Sequence, residues 1–361
     1  MMRRFPNTIA ELDDTWLSGA LRRSARLGPH ETVTILKAAP LSKGTAFTTK
    51  MYRLTLEGPD TIPATAVLKL PVGGAVRQLL DGIGGYVREV SFYAELAHDV
   101  PLRVPDCYLA EMAEDSTDFV LLIEDLSDTA QADQIHGLTL AQAETAIDDL
   151  ARFHTWASSE GRPERYAAQF PAIDSPRGRS VNEQFAQFFA ATWPGVLETT
   201  GDTIPTEIHA LGERFPTLTE FFTTELAQPR TIIHGELRAD NMFLPADGGM
   251  LMVDFQTTGQ ATGMQDVAYL VSQSLATDIR QGHDEALAHR YWEGLRDAGF
   301  TDYTWDSAWR HYRVGVLFNL IYPGMAFQQY PLTDDRGKDL LLHMLHRSIA
   351  AILDNNCLDL I

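Results

Sequence analysis

Apolar positions change their period three times along the first third of the chain. Between residues 8 and 27, Ile9, Leu12, Trp16, Leu17 and Leu21 recur at helical spacing, which predicts a short helix packed by one face. Thr32 to Leu36, Phe47 to Leu56 and Ala64 to Leu70 are instead rich in β-branched and aromatic residues. With a turn at Glu57-Gly58-Pro59-Asp60, they predict a three-stranded meander. A helix from about Tyr86 to His98 follows the glycines Gly82, Gly84 and Gly85, and Cys107 to Met112 and Phe119 to Ile123 read as two more strands.

Beyond Asp125 the helical period takes over. Leu140 to Trp156, Asn182 to Leu197, Glu207 to Leu226, Asp266 to Leu275, Glu285 to Asp297 and Trp305 to Ile321 all carry it. The pattern divides the chain into a strand-rich lobe over residues 1–125 and a mainly helical lobe over residues 126–361, an α+β organisation without internal repeats. Two short strands, Thr231 to Ile233 and Met250 to Val253, interrupt the helices. Each runs straight into a polar cluster: His234-Gly235-Glu236-Leu237-Arg238-Ala239-Asp240-Asn241 after the first, Asp254-Phe255-Gln256 after the second. Candidate chemistry therefore sits on loops at strand ends.

Composition narrows the class. Apolar residues at 45% and charged residues at 22% fit an ordered globular protein. With 29 basic and 49 acidic residues the net charge is -20, which argues against nucleic acid as a partner and favours solubility, with cationic substrates as the second option. Cys107 and Cys357 have neither disulfide nor zinc spacing, and a reducing compartment fits. The amino terminus lacks the apolar run of a signal peptide, and Val314 to Phe327, broken by Asn319 and Pro323, is too short to span a bilayer. A cytoplasmic protein without membrane contact is expected; the oligomeric state is not readable.

Phosphoryl transfer needs a cationic clamp on phosphates, hard oxygen ligands for a metal, and a carboxylate facing the attacking hydroxyl. Asn241 and Asp254 lie thirteen residues apart, a separation that suits a β-hairpin, and offer side-chain oxygens for one magnesium ion. Glu236 shares the loop of Asn241 and is the candidate proton acceptor, with His234 holding the loop. Arg238 is the candidate for charge stabilisation on the transferring phosphoryl group, because a guanidinium matches phosphate geometry.

These motifs resemble the catalytic and metal-binding motifs of the aminoglycoside phosphotransferase and choline kinase superfamily. Val253-Asp254-Phe255-Gln256, Asp266-Val267-Ala268-Tyr269-Leu270 and Leu122-Ile123-Glu124-Asp125-Leu126 are most similar to its ecdysteroid-kinase-like branch. The resemblance implies a bilobal protein-kinase-like fold that uses ATP and Mg2+. It implies Lys69 as the phosphate-binding lysine and Glu89 as its ion-pair partner, with Leu41 to Phe47, including Ser42, Gly44 and Thr45, as the phosphate-covering loop. It also implies that the backbone from Glu124 to Leu126 receives the adenine.

One position departs from the family pattern, which has Asp where this chain has Glu236. Two readings follow: an ATP- and magnesium-dependent O-phosphotransferase acting on a hydroxylated small molecule, or a nucleotide-binding pseudokinase. A protein kinase is the weaker third, because the loop has one glycine and no activation-segment landmarks follow Asp254. The acceptor stays open. An aminoglycoside suits the charge; a sterol-like alcohol suits the aromatic helical lobe, where Phe185, Phe188, Phe189 and Trp193 read mostly as core at helical spacing and, with Trp292, Trp305 and Tyr322, lie in the region that would form the acceptor wall. His154 and Trp156 read as core or rim, and Asp266 as a helix N-cap that braces the catalytic loop.

Overall fold

A computed structural model describes residues 5–41, 48–326 and 335–361. The chain forms two compact units, Met1–Ala130 with Met252–Thr257, and Gln131–Leu251 with Thr258–Ile361. The segment carrying Asp254 thus falls with the strand-rich unit rather than with the helical residues that surround it in sequence. The reason is its own packing, described below.

In the first unit, helix α1 (Asp14–Arg23) begins at Asp13, whose carboxylate accepts the Trp16 N–H at 2.7 Å. Strands β1 (Thr34–Pro40), β2 (Thr49–Glu57), β3 (Thr65–Pro71), β4 (Cys107–Met112) and β5 (Phe119–Glu124) form one antiparallel sheet in the order β1-β2-β3-β5-β4. The expected meander is its first three strands. Alternation along β3 then separates two faces. Ala66, Leu68 and Leu70 join Leu17 and Leu21 of α1, Leu54 and Leu122 in one apolar core. Val67 and Lys69 point to the opposite face, with Lys69 between Met51 and Leu121 in register.

Helix α2 (Gly74–Ile83) has no counterpart among the sequence expectations. The glycines that looked like a break are a joint between two helices: Gly84, at φ +77°, ends α2 in the left-handed conformation and starts α3 (Gly85–Ser91). α3 winds on through a π-helical turn, Phe92–Leu96, so the helix expected from Tyr86 to His98 is present with a change of pitch.

The second unit carries helices α4 (Leu140–Ser158), α5 (Arg162–Arg165), α6 (Pro176–Thr200), α7 (Thr206–Arg214), α8 (Thr219–Glu225), α9 (Met264–Ser274), α10 (Thr277–Arg280), α11 (Asp284–Asp297), α12 (Trp305–Phe318), α13 (Ile321–Ala326) and α14 (Asp335–Asp354). The single helix expected over residues 207–226 arrives as α7, a 3-10 turn Phe215–Leu218 and α8, because Pro216 cannot continue the first helix. Every residue of α9 is buried. Strand Arg230–Ile233 pairs antiparallel with Gly259–Thr262, Ile233 opposite Gly259, and delivers His234 at its end.

Two of the aromatics read mostly as core, Phe189 and Trp193, are core. Phe189 and Trp193 are buried and stacked at 5.2 Å, and Phe189 also packs on Phe215 at 4.6 Å. Trp292 and Trp305 stand half-buried, their rings 5.7 Å apart.

The start of α6 leaves no room for a side chain at Gly178. A Cβ there would lie 2.0 Å from the Ala172 carbonyl oxygen and 2.8 Å from that of Ile173, both backbone atoms that cannot swing away. Gly178→Ala is expected to lower the unfolding free energy by about 1–3 kcal/mol. Gly195→Ala, in the same helix with open space around the new Cβ, should be neutral or stabilise by up to about 1 kcal/mol. Urea denaturation of the two variants checks the contrast.

Candidate active site

Each unit assembles one set of the residues singled out in the sequence. In the first, Lys69 and Glu89 meet as a buried ion pair, Nζ against Oε1, with Glu89 fully excluded from solvent. Burial alone would push the Lys69 pKa down. The charges of Glu89 and Asp254, with the hydrogen bond from Glu89, outweigh it and raise the pKa above the usual 10.5, so the ammonium is held charged.

The other carboxylate oxygen of Glu89, Oε2, accepts a hydrogen bond from Gln256 Nε2 at 3.2 Å. Around this bond the segment Met252–Thr257 is fastened to α3 and its π-helical turn. Phe255 stacks on Phe92 with ring centroids 3.5 Å apart, meets Tyr93 edge-on at 6.0 Å, and Arg88 Nη1 donates to the Thr257 carbonyl at 3.4 Å. Asp254 takes the left-handed conformation at φ +69°. Its Oδ1 is buried and finds no hydrogen-bond partner among the described residues.

At the end of β5, the Glu124 N–H donates to the Asp106 carbonyl at 2.8 Å, and the Leu126 carbonyl accepts the Thr129 N–H at 2.9 Å. Ser42, Gly44 and Thr45 lie outside the described residues.

In the second unit, Glu236, Arg238 and Asn241 share one loop. The Asn241 Nδ2 donates to the Glu236 carbonyl at 2.9 Å, which leaves the amide oxygen as its acceptor. Arg238 reaches both ways along the loop, to Glu236 Oε1 at 3.4 Å and Asp240 Oδ2 at 2.7 Å. Asp240 Oδ1 also accepts the Gln134 N–H at 2.9 Å, and the Tyr322 hydroxyl donates to the Gly235 carbonyl at 2.7 Å. The residue ahead of Glu236 is Gly235 at φ +88°, a conformation that glycine reaches without strain.

Beneath this loop lies Asp266, fully buried. It stands in the first turn of α9 and does not cap it; Gly263 holds the N-cap position. Its carboxylate accepts the backbone N–H of His234 at 2.7 Å and of Gly235 at 2.8 Å, and meets His154 Nε2 at 3.2 Å. Tyr291 OH in turn contacts His154 Nδ1 at 2.8 Å. Helical periodicity marks His154 as a core or rim position only, since residues 112 and 137 positions away in the chain leave no local trace of this network.

Magnesium takes hard oxygen ligands and commonly relies on one or two protein side chains plus phosphate oxygens and water. In the first unit Asp254 Oδ1, buried and without a hydrogen-bond partner among the described residues, fits that chemistry, and in the second unit the Asn241 amide oxygen is of the same hard type. Lys69, charged and already neutralised in part by Glu89, fits a phosphate.

Comparison with known proteins agrees with a kinase-like phosphotransferase fold. The GDP and kanamycin complex of APH(2")-IIia superposes with a TM-score of 0.53 at 13% identity, over 87% of this chain and 93% of that one. Spectinomycin phosphotransferase in complex with ADP and spectinomycin gives 0.51 at 12%, over 96% and 99%. Plasmodium vivax ethanolamine kinase gives 0.53 at 8%, over 95% and 92%. No curated protein matches the sequence. The chain belongs to the ecdysteroid kinase-like family, whose model matches residues 43–299. Among the described residues no helix is long and apolar enough to cross a membrane.

The Asp266 carboxyl gives a stability test of the loop. Burial pushes its pKa up, but the hydrogen bond and charge of His154, the nearby His234 and the Gly235 N–H together hold it below the usual 3.8. A depressed pKa stabilises the folded state above the unfolded value and loses that contribution as pH falls through the folded one. Asp266→Asn is therefore expected to cost on the order of 3 kcal/mol at neutral pH. The gap to the parent should close as the pH drops below about 4, followed by urea unfolding across pH.

Proposed function

We propose that the protein is an ATP- and magnesium-dependent O-phosphotransferase acting on a hydroxylated small molecule. The observation that carries it is the buried Lys69–Glu89 pair beside Asp254, whose buried Oδ1 has no hydrogen-bond partner among the described residues. A carboxylate oxygen buried without a hydrogen-bond partner is costly unless a ligand uses it, and the Lys69 ammonium beside it is held charged. A nucleotide phosphate with its metal uses both.

In this reading Lys69 holds nucleotide phosphate oxygens, and Glu89 keeps the ammonium in place. Asp254 and Asn241 supply oxygens to magnesium, which when bound would neutralise charge on the phosphates. Glu236 accepts the proton of the acceptor hydroxyl while that oxygen bonds to the γ-phosphorus and the bridge to ADP breaks. Arg238, paired with Glu236 and Asp240, steadies the carboxylate. The names of the structural neighbours, which include kanamycin, spectinomycin and ethanolamine, motivate a small polar alcohol or amino alcohol as the first acceptors to screen.

Asp254→Ala is expected to abolish magnesium-dependent ATP consumption in the presence of a working acceptor. Glu236→Ala should lower turnover by about 10²- to 10⁴-fold while nucleotide still binds. Turnover undiminished in Asp254→Ala overturns the assignment. The pseudokinase reading rests on Glu236 standing where the family has Asp, and it gains if nucleotide binds yet neither the parent nor Glu236→Asp consumes ATP with any acceptor.

A further inference from the structure

We infer that Gln256 is a positioning residue of the nucleotide site, which couples the metal-facing segment to the Lys69–Glu89 pair by sharing the Glu89 carboxylate. The inference rests on the reading above and adds a residue to it.

Glu89 is completely buried, and its two oxygens are divided: Oε1 serves Lys69, and Oε2 serves Gln256 at 3.2 Å. An amide is the side chain that fits this role. It donates to a carboxylate without bringing a charge that competes with Lys69, whereas a second carboxylate at 3.2 Å would draw the ammonium away. Gln256 is itself buried, so its bond to Glu89 is not exchanged with water.

Gln256 lies two residues after Asp254, and Phe255 between them is clamped against Phe92 and Tyr93. The backbone of Gln256 comes close to α3 as well: a Cβ on Gly85 would stand 3.8 Å from the Gln256 carbonyl oxygen. One helix therefore holds the ion-pair carboxylate and, through Phe255 and Gln256, the segment from which Asp254 projects. The arrangement fixes Lys69 and Asp254 relative to each other before any nucleotide arrives.

The test uses the full chain in two variants. Gln256→Met keeps length and removes the donor; Gln256→Glu keeps shape and puts a carboxylate beside Glu89. Titration with a non-hydrolysable ATP analogue and Mg2+ should show affinity of the folded variants weakened on the order of tenfold in Gln256→Met and more in Gln256→Glu, alongside a lowered thermal midpoint because a buried Glu89 oxygen loses its donor. In a double-mutant cycle, Gln256→Met added to Glu89→Gln should change affinity little further, because the shared carboxylate is already gone. A merely structural role would lower the thermal midpoint and leave affinity and coupling unmoved. If Gln256→Met does not fold, Gln256→Glu carries the comparison. Affinity within twofold of the parent in the folded variants, while Lys69→Met loses binding, overturns the role of Gln256 alone. Full binding retained in Lys69→Met overturns the kinase reading beneath it.

Discussion

A carboxylate inside a protein needs partners that replace its water, and each unit holds one that has them. In the first it is Glu89, divided between Lys69 and Gln256; in the second it is Asp266, divided between two backbone N–H groups and His154. Neither side chain has a place on the acceptor in the reaction proposed. Each holds its neighbours in place, because satisfying a buried polar group leaves few alternative arrangements. The left-handed Gly235 and the 3-10 turn Ala239–Asn241 take their shape over a loop whose first two amides are already committed to Asp266.

The same constraint explains the conformational detail around Asp254. A non-glycine residue at φ +69° is uncommon, though Asp tolerates it better than most, and such a conformation persists where the surroundings over-determine it. Phe255, stacked on Phe92, and Gln256, bonded to Glu89, anchor the chain immediately after it. The strained residue is thereby the one left with an oxygen to spare.

Much of this was legible in the sequence because it is local. Period-two and helical patterns placed β1 to β5, α4, α9, α11 and α12 within a few residues of their observed limits, and the strands leading to His234 and Asp254 follow from short apolar runs. What stayed hidden is long-range. Helix α2 was masked because its flanking glycines read as a break rather than as a joint, and α14 drew no attention. Phe189 and Trp193 read as core from their helical spacing and are core, but their stacking partners, Phe215 among them, were not readable. The contacts His154–Asp266 and Gln256–Glu89 join residues 112 and 167 positions apart, so no window of sequence contains both partners.

Glu236 shows the same limit at the level of a single side chain. Against the family Asp it adds one methylene, and a carboxylate displaced by about 1 Å is enough to slow a transfer severely. The extra length does not swing free here. Its backbone carbonyl is tied to Asn241 and its Oε1 faces Arg238, so the loop sets where the carboxylate rests. That brace has a consequence for Arg238. A guanidinium carries five N–H donors, and at rest its Nε and Nη1 are turned to Glu236 and Asp240. With two carboxylates around one guanidinium, the resting geometry favours the brace.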